Sequence, residues 1–406
     1  MHTPEEAWAL LAPHLAALPA ENVARADALG RVVVTSPRAT ADVPPSDVSA
    51  MDGYALAGDL PLGTELIVSA TIAAGDAPGS RLAPGAIARI MTGAPLPEGA
   101  DRVLPVERTS GGAERVTLAH AAAAGDHIRR RGEIQRAGDA LLAPGRTLTP
   151  AGLALLAGQG IARIAVHREP RVAVLVTGDE LVPPDALPGP GQIRDSHGDF
   201  LLAAGRGLGL RFAALGIAPD DPATLTAAIQ RGLAFDVLLI SGGVSMGAFD
   251  FVEGALASLG VEPLFDSVAM QPGKPLVAAR HGGGLVFGLP GNPASAMVCF
   301  WLFVRPALRR LLGFADGTWQ GAVDAVLAGA LPASPAGRDR FVPAALWSEG
   351  GRLLARPFAP RGSHDVATFA EGNALLRLRP GRPARAAGET CEALLLGADL
   401  APAVGG

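Results

Sequence analysis

The sequence predicts a multidomain α/β protein built around a doubly wound, mostly parallel sheet. Three observations carry this expectation. Apolar runs at Val172–Val176, Val237–Ile240 and Leu285–Phe287 alternate with helical periods, as strands buried on both faces and joined by crossover helices do. Each run ends in a turn rich in glycine and small polar residues, and parallel sheets bind ligands beyond the carboxyl ends of their strands. On both sides of this region, from Leu66 to about Ile128 and again after Gly313, the pattern becomes short strands separated by Gly/Pro turns, which reads as separate β-rich domains.

Taken in order, Pro4–Leu18 reads as an amphipathic helix, with Pro4-Glu5-Glu6 a suitable first turn. Arg31–Val34 is a short strand. Pro44 to Ala55 is turn-rich and contains Asp52. Ile90-Met-Thr92-Gly-Ala-Pro95 lies within the β-rich stretch, and Arg129-Arg130-Arg131 closes it. Thr149-Pro150 opens a helix through about Leu156. From Val172 the expected order is strand 172–176, helix 198–208, strand 211–217, helix 222–233, strand 237–240 and helix 249–259. A further strand leads to Pro272-Gly273-Lys274-Pro275. Strand 285–287 and helix 294–311 close the unit, with right-handed crossovers by default. The remainder reads as a C-terminal β-barrel or sandwich.

Composition narrows the function. Of 406 residues, 49% are hydrophobic and 18% charged, which suits large cores. The 52 glycines and 35 prolines make up about a fifth of the chain, below the level that signals disorder. A net charge of −5 with 4% aromatics argues against a nucleic-acid surface. Two cysteines, Cys299 and Cys391, provide neither a disulfide framework nor a thiolate metal site. The N-terminus has no basic region followed by an apolar one, and no run reaches ~18 apolar residues, so neither a signal peptide nor a membrane span is expected. A reducing, cytoplasmic setting fits.

The chemistry concentrates at the strand ends. Ser241 to Gly247 contains three glycines and two hydroxyls, Ser241 and Ser245; with a helix following, its backbone N–H groups suit an anionic ligand. Glu180 and Asp250 follow two strand ends, where carboxylates suit a hard cation such as Mg²⁺; the plainer reading makes Asp250 a helix-start charge and Glu180 a solvated one. Lys274, in a rigid turn, reads either as a ligand for an oxyanion or as an exposed turn lysine. Gly291-Asn292-Pro293 reads as a helix cap that also admits a ligand. Gly243-Val-Ser245-Met-Gly247 matches the G-x-S-x-G nucleophile elbow and His281-Gly-Gly-Gly284 resembles an oxyanion motif, but that motif should precede the nucleophile, so serine hydrolase is a minor alternative.

Taken together, these segments resemble the MoeA family of molybdopterin molybdenumtransferases, also found as the E domain of gephyrin. The carriers are Ser49-Ala-Met-Asp-Gly-Tyr-Ala55, Ile90 to Asp101, Arg129-Arg-Arg-Gly-Glu133, Thr177-Gly-Asp-Glu-Leu181, Gly191-Gln-Ile193, Ser241-Gly-Gly-Val-Ser245, Pro272-Gly-Lys-Pro275 and Gly288-Leu-Pro-Gly-Asn-Pro293. The resemblance implies an elongated homodimer of four-domain subunits. Residues 1–19 and 170–312 would form the molybdopterin-binding α/β domain, 20–40 and 136–169 a connecting domain, 41–135 a β-rich domain serving the partner's site, and 313–406 a β-barrel. The implied reaction inserts molybdate into adenylylated molybdopterin with Mg²⁺-dependent release of AMP. Asp52, Thr92, Glu180, Asp250 and Lys274 would then be catalytic. Gly178, Ser241, Gly242, Gly243, Ser245, Gly291 and Asn292 would bind the pterin or adenylate. Lys274, Pro290, Pro293 and Ser363 would bind molybdate, and Glu180, Asp220, Asp221 and Asp250 the metal. Implied partners are the molybdopterin adenylyltransferase and molybdoenzyme apoproteins. The chain departs from the family pattern at Ile134 and Gln271, where an acidic residue and a lysine are usual, and at His197, where asparagine is common. The alternative is a catalytically impaired molybdopterin-binding paralogue or scaffold, or one with altered anion preference such as tungstate.

Overall fold

A computed structural model describes residues 1–112, 114–243, 251–319 and 321–397. The chain divides into two compact units, one formed by Met1–Glu21 with His167–Gly406 and the other by Asn22–Val166.

The first unit contains the predicted sheet. Its elements are α1 (Pro4–Leu11), β1 (Val172–Thr177), α2 (His197–Gly207), β2 (Phe212–Ala218), α3 (Pro222–Gly232), β3 (Val237–Ser241), α4 (Phe251–Ser258), β4 (Glu262–Phe265), β5 (Val277–His281), β6 (Gly284–Leu289) and α5 (Pro293–Cys299). The spatial order is β2-β1-β3-β6-β5-β4. β2, β1, β3 and β6 run parallel, and β5 is antiparallel to both β6 and β4. Alternate side chains go to opposite faces, as strand geometry requires. Val172, Val174, Val176, Val237, Leu239 and Phe287 pack with α1, α2 and α5, whereas Ala173, Leu175, Leu238, Ile240 and Val286 pack with α3 and α4. Each fully buried aliphatic side chain contributes about 1.5–3 kcal/mol, so both helix layers are held by the same strands.

Two expected helices differ in detail. The one expected over 4–18 is α-helical only to Leu11 and continues as a 3₁₀ turn, Ala12–His14. Pro13 has no N–H to extend the ladder. Its start is a capping box: Glu6 N–H donates to the Thr3 hydroxyl and Thr3 N–H to the Glu6 carboxylate. The helix expected over 294–311 is interrupted by a π turn, Phe300–Val304, before Arg305–Leu311. Pro306 withholds an N–H there, and a widened turn absorbs the mismatch.

The C-terminal strands are β7 (Ala322–Leu327), β8 (Asp339–Glu349), β9 (Arg352–Pro357), β10 (Ala374–Leu378) and β11 (Thr390–Leu395). They follow the order β8-β9-β7-β11-β10, and β10 pairs back onto β8. This is a closed five-stranded barrel, the first of the two forms the sequence left open. Met270–Gln271, in the stretch before Lys274, adds to β8 instead of joining the parallel sheet.

In the second unit, strands 102–105, 53–56, 86–90, 65–72, 115–118 and 109–111 form one six-stranded sheet in that order. Tyr54, Leu56 and Leu104 lie on one face, Ala55 and Val103 on the other. The expected strand at 31–34 is reduced to single bridges at Val32 and Val33. The helix expected from Pro150 spans Pro150–Gly158, and its Leu156 packs with Val33 and Leu148. Among the described residues, no helix is long and apolar enough to cross a membrane.

Candidate functional site

The three glycine-rich turns leave the sheet side by side. Val176 on β1 is paired with Ser241 on β3, and Ser241 with Leu289 on β6. Parallel pairing puts all three carboxyl ends at one edge, and the turns close around a cavity of about 180 Å³. Gly178, Glu180, Asp220, Ser241, Gly242, Gly243, Gly291 and Pro293 all line it. Gly242 is held at φ +95°, and a Cβ there would lie 2.5 Å from the Thr177 carbonyl oxygen. Only glycine permits strands β1 and β3 to end so close together. Over Gly178 the Glu180 carboxylate folds back, within 2.9 Å of where a Cβ would sit.

The cavity's electrostatics are mixed. Burial pushes the Asp220 carboxyl above the ordinary carboxylate range, and the charges of Asp179 and Glu180 push it further. The Asp220 N–H donates to the Asp179 carboxylate at 3.0 Å. Asp221 is turned away: its carboxylate accepts from Thr224 N–H at 2.8 Å and caps α3. That bond and the Thr224 hydroxyl hold its carboxyl below the ordinary value, and it does not line the cavity. Asn292 takes the cap position of α5, but its side chain makes no capping bond.

No group of three or more His, Cys, Asp or Glu among the described residues forms a metal-holding cluster. Mg²⁺ needs less, since it takes one or two carboxylates and fills its remaining positions with water and ligand phosphates. Glu180 and Asp220 fit that donor set, because their mutual repulsion is what a cation relieves. Ser245 and Asp250 lie outside the described residues.

Lys274 and Ser363 line a second cavity of about 320 Å³, with Gln271, Arg338 and Arg340. It includes Ala294 and Ser295 of α5, next in sequence to Pro293 of the first cavity. Ala294 N–H donates to the Ser363 carbonyl at 3.0 Å. Pro290 is buried and lines neither cavity. In the second unit, Asp52 and Thr92 meet: Thr92 N–H and hydroxyl both donate to the Asp52 carboxylate, at 2.7 and 2.8 Å. Those two bonds hold the Asp52 carboxyl low. Arg130 and Arg131 are engaged by Asp47 and Asp42 at 2.6 and 2.5 Å.

Sequence reasoning missed several lining residues. Arg194, Asp195 and Thr177 border the first cavity, and Arg338 and Arg340 the second. The second pair had a signal only in its spacing, Arg338 standing just before β8 and Arg340 near its start. His197, noted only as a replacement for asparagine, has its Nδ1 2.5 Å from the Ser241 hydroxyl. The hydrolase reading loses its geometry: the His281–Gly284 turn joins β5 to the amino end of β6, opposite the edge where Ser241 emerges.

Comparison with known proteins accounts for the same segments. The chain matches the MoeA N-terminal region (domain I and II) over residues 2–160, the "Probable molybdopterin binding domain" over 173–310, and the MoeA C-terminal region (domain IV) over 325–396. Molybdopterin molybdenumtransferase 2 of Mycobacterium tuberculosis is 40% identical over 348 residues, 82% of this chain and 84% of that protein. The molybdopterin molybdenumtransferase of Bacillus subtilis is 34% identical over 389 residues, 93% of this chain and 90% of that one. A crystal structure of the molybdopterin biosynthesis protein MoeA from Pyrococcus horikoshii superimposes with a TM-score of 0.81 at 32% identity, covering 97% of this chain and 98% of that one. Sequence and backbone agree over nearly the full length, and the chain belongs to the MoeA, or molybdopterin molybdenumtransferase, family.

Proposed function

We propose that this protein inserts molybdate into adenylylated molybdopterin and releases AMP in a Mg²⁺-dependent step, as a cytoplasmic homodimer of molybdenum cofactor biosynthesis. The observation that carries the reading is the convergence of the turns after β1, β3 and β6 on one cavity containing Glu180, Asp220, Ser241 and Gly242. Backbone N–H groups and hydroxyls there suit a phosphate. Glu180 and Asp220 would hold Mg²⁺, which would supply charge neutralisation at the phosphoanhydride when bound. The cavity bearing Lys274, Arg338, Arg340 and Ser363 offers the cations and donors that a molybdate oxyanion requires. The two cavities adjoin along α5, a placement that fits a ligand with its phosphate in one and its reacting end near the other.

We further propose the four-domain division expected from the sequence, with Asp52 and Thr92 completing the partner subunit's site. The upstream adenylyltransferase and downstream apoenzymes are the natural partners. The scaffold alternative is not favoured, since relatives from 30 to 40% identical carry the transferase name.

Pure protein given adenylylated molybdopterin, molybdate and Mg²⁺ should release AMP, measured by chromatography. Glu180→Gln should lower the rate by at least ~10²-fold. Absence of AMP from folded wild-type protein would refute the reaction. Mixing Glu180→Gln with Asp52→Ala subunits should restore part of the activity if sites are shared between subunits; no restoration in confirmed mixed dimers would refute that arrangement.

A further inference from the structure

Two hydroxyls at the first cavity have unusual surroundings. Ser241 is only 1% exposed, yet it ends β3 at the cavity wall. Its oxygen lies 2.5 Å from His197 Nδ1. Thr177, 4% exposed, also lines the cavity, and its hydroxyl has no hydrogen-bond partner. A buried hydroxyl without a partner is rare and points to a ligand or water that completes it.

The backbone that carries the imidazole is fixed. Asp195 Oδ1 accepts the backbone N–H groups of His197 and Gly198, both at 2.9 Å, which anchors the first turn of α2. The contact between Nδ1 and Ser241 then has two states. If the Ser241 O–H donates to a bare Nδ1, only oxygen lone pairs remain to face the cavity. If Nδ1–H donates to Ser241, the serine hydrogen stays available for a ligand. The second state is the one that suits an anion, since it leaves a donor facing a cavity that Arg194, Gly242 and Gly243 share with the carboxylates of Glu180, Asp195 and Asp220.

We propose that His197 is a positioning residue whose Nδ1–H donates to Ser241 and so aims the serine hydroxyl, beside that of Thr177, at a phosphate oxygen of the bound ligand. The proposal rests on the phosphate-ligand reading above. An asparagine amide N–H at this position would make the same donation.

Nitrogen NMR of ¹⁵N-histidine-labelled wild-type protein should show His197 protonated at Nδ1 when neutral. Protonation at Nε2 alone would overturn the proposal. AMP binding in the presence of Mg²⁺, followed by calorimetry, should weaken about tenfold in His197→Ala and in Ser241→Ala. The double variant should be no weaker than either single one, and His197→Asn should bind like wild type. Losses that multiply in the double variant, or a His197→Asn as weak as His197→Ala, would overturn the proposal. If the alanine variant does not fold, the tautomer and His197→Asn still decide it. If wild-type protein does not bind AMP, the adenylylated-substrate reading fails, while the tautomer measurement continues to decide the position of the proton.

Discussion

Gly242→Ala tests the close approach of β1 and β3 directly. At φ +95° an alanine carries a backbone penalty of about 1–2 kcal/mol. Its methyl would also meet the Thr177 carbonyl oxygen at 2.5 Å and the Thr177 hydroxyl at 2.9 Å. The first of these is backbone, which cannot swing aside, and such overpacking adds about 1–3 kcal/mol. The expected loss is therefore about 2–5 kcal/mol. Gly291→Ala is the control, since its Cβ would meet nothing nearer than Gly242 Cα at 3.9 Å and its φ is not in the left-handed region; it should change stability by less than ~0.5 kcal/mol. Urea unfolding monitored by hydrogen exchange at β1 and β3 separates the α/β unit from the rest, which matters because a multidomain chain need not unfold in one step. Equal losses for the two alanines would refute the claim that Gly242 is required by packing of the strand ends.

Three further outcomes follow from the structure. Phe287→Ala, on β6 and fully buried on the face that α1, α2 and α5 cover, should destabilise the same unit by about 3–5 kcal/mol in that assay. Burial lowers the affinity of His197 for its proton, with Asp195 opposing more weakly, so below about pH 6.5 the unfolded chain binds more protons than the folded one. Stability should then fall on acidification from pH 7, and that part of the slope should vanish in His197→Asn, as measured by melting across pH. Lys274→Ala and Arg338→Ala should each raise the molybdate concentration for half-maximal AMP release about tenfold while leaving AMP binding unchanged; a parallel loss of AMP affinity would place them in the first cavity instead.

The parallel sheet was legible because its strands are buried on both faces and therefore read as unbroken apolar runs, Val172–Val176 and Val237–Ile240 being the clearest. The first cavity was legible for a related reason, as glycine turns mark where such strands end. What stayed hidden depends on distant parts of the chain. Nothing local in Met270–Gln271 announces that it joins β8 of the barrel. Nor does Lys274 indicate Arg338 and Arg340 as neighbours, because that proximity arises only when the barrel is seated. The end of α1 was readable, since Pro13 forbids a continuous helix, and amphipathic periodicity outweighed it. His197 was noticed for what it replaced, and only the fold brings it to Ser241.

Helix α1 is secured by residues made long after it. Glu5 reaches Arg377 and Arg379 at 2.6 and 2.7 Å, and Arg377 in turn bonds Asp339. Leu18 N–H donates to the Leu311 carbonyl. The Glu5 contacts cannot form until Arg377 and Arg379 have left the ribosome, 372 and 374 residues after Glu5, while Asn22–Val166 already has a core of its own. The nascent chain should thus gain protease resistance across Asn22–Val166 well before Pro4–Leu11, and replacing Glu5 by alanine should loosen the barrel it reaches.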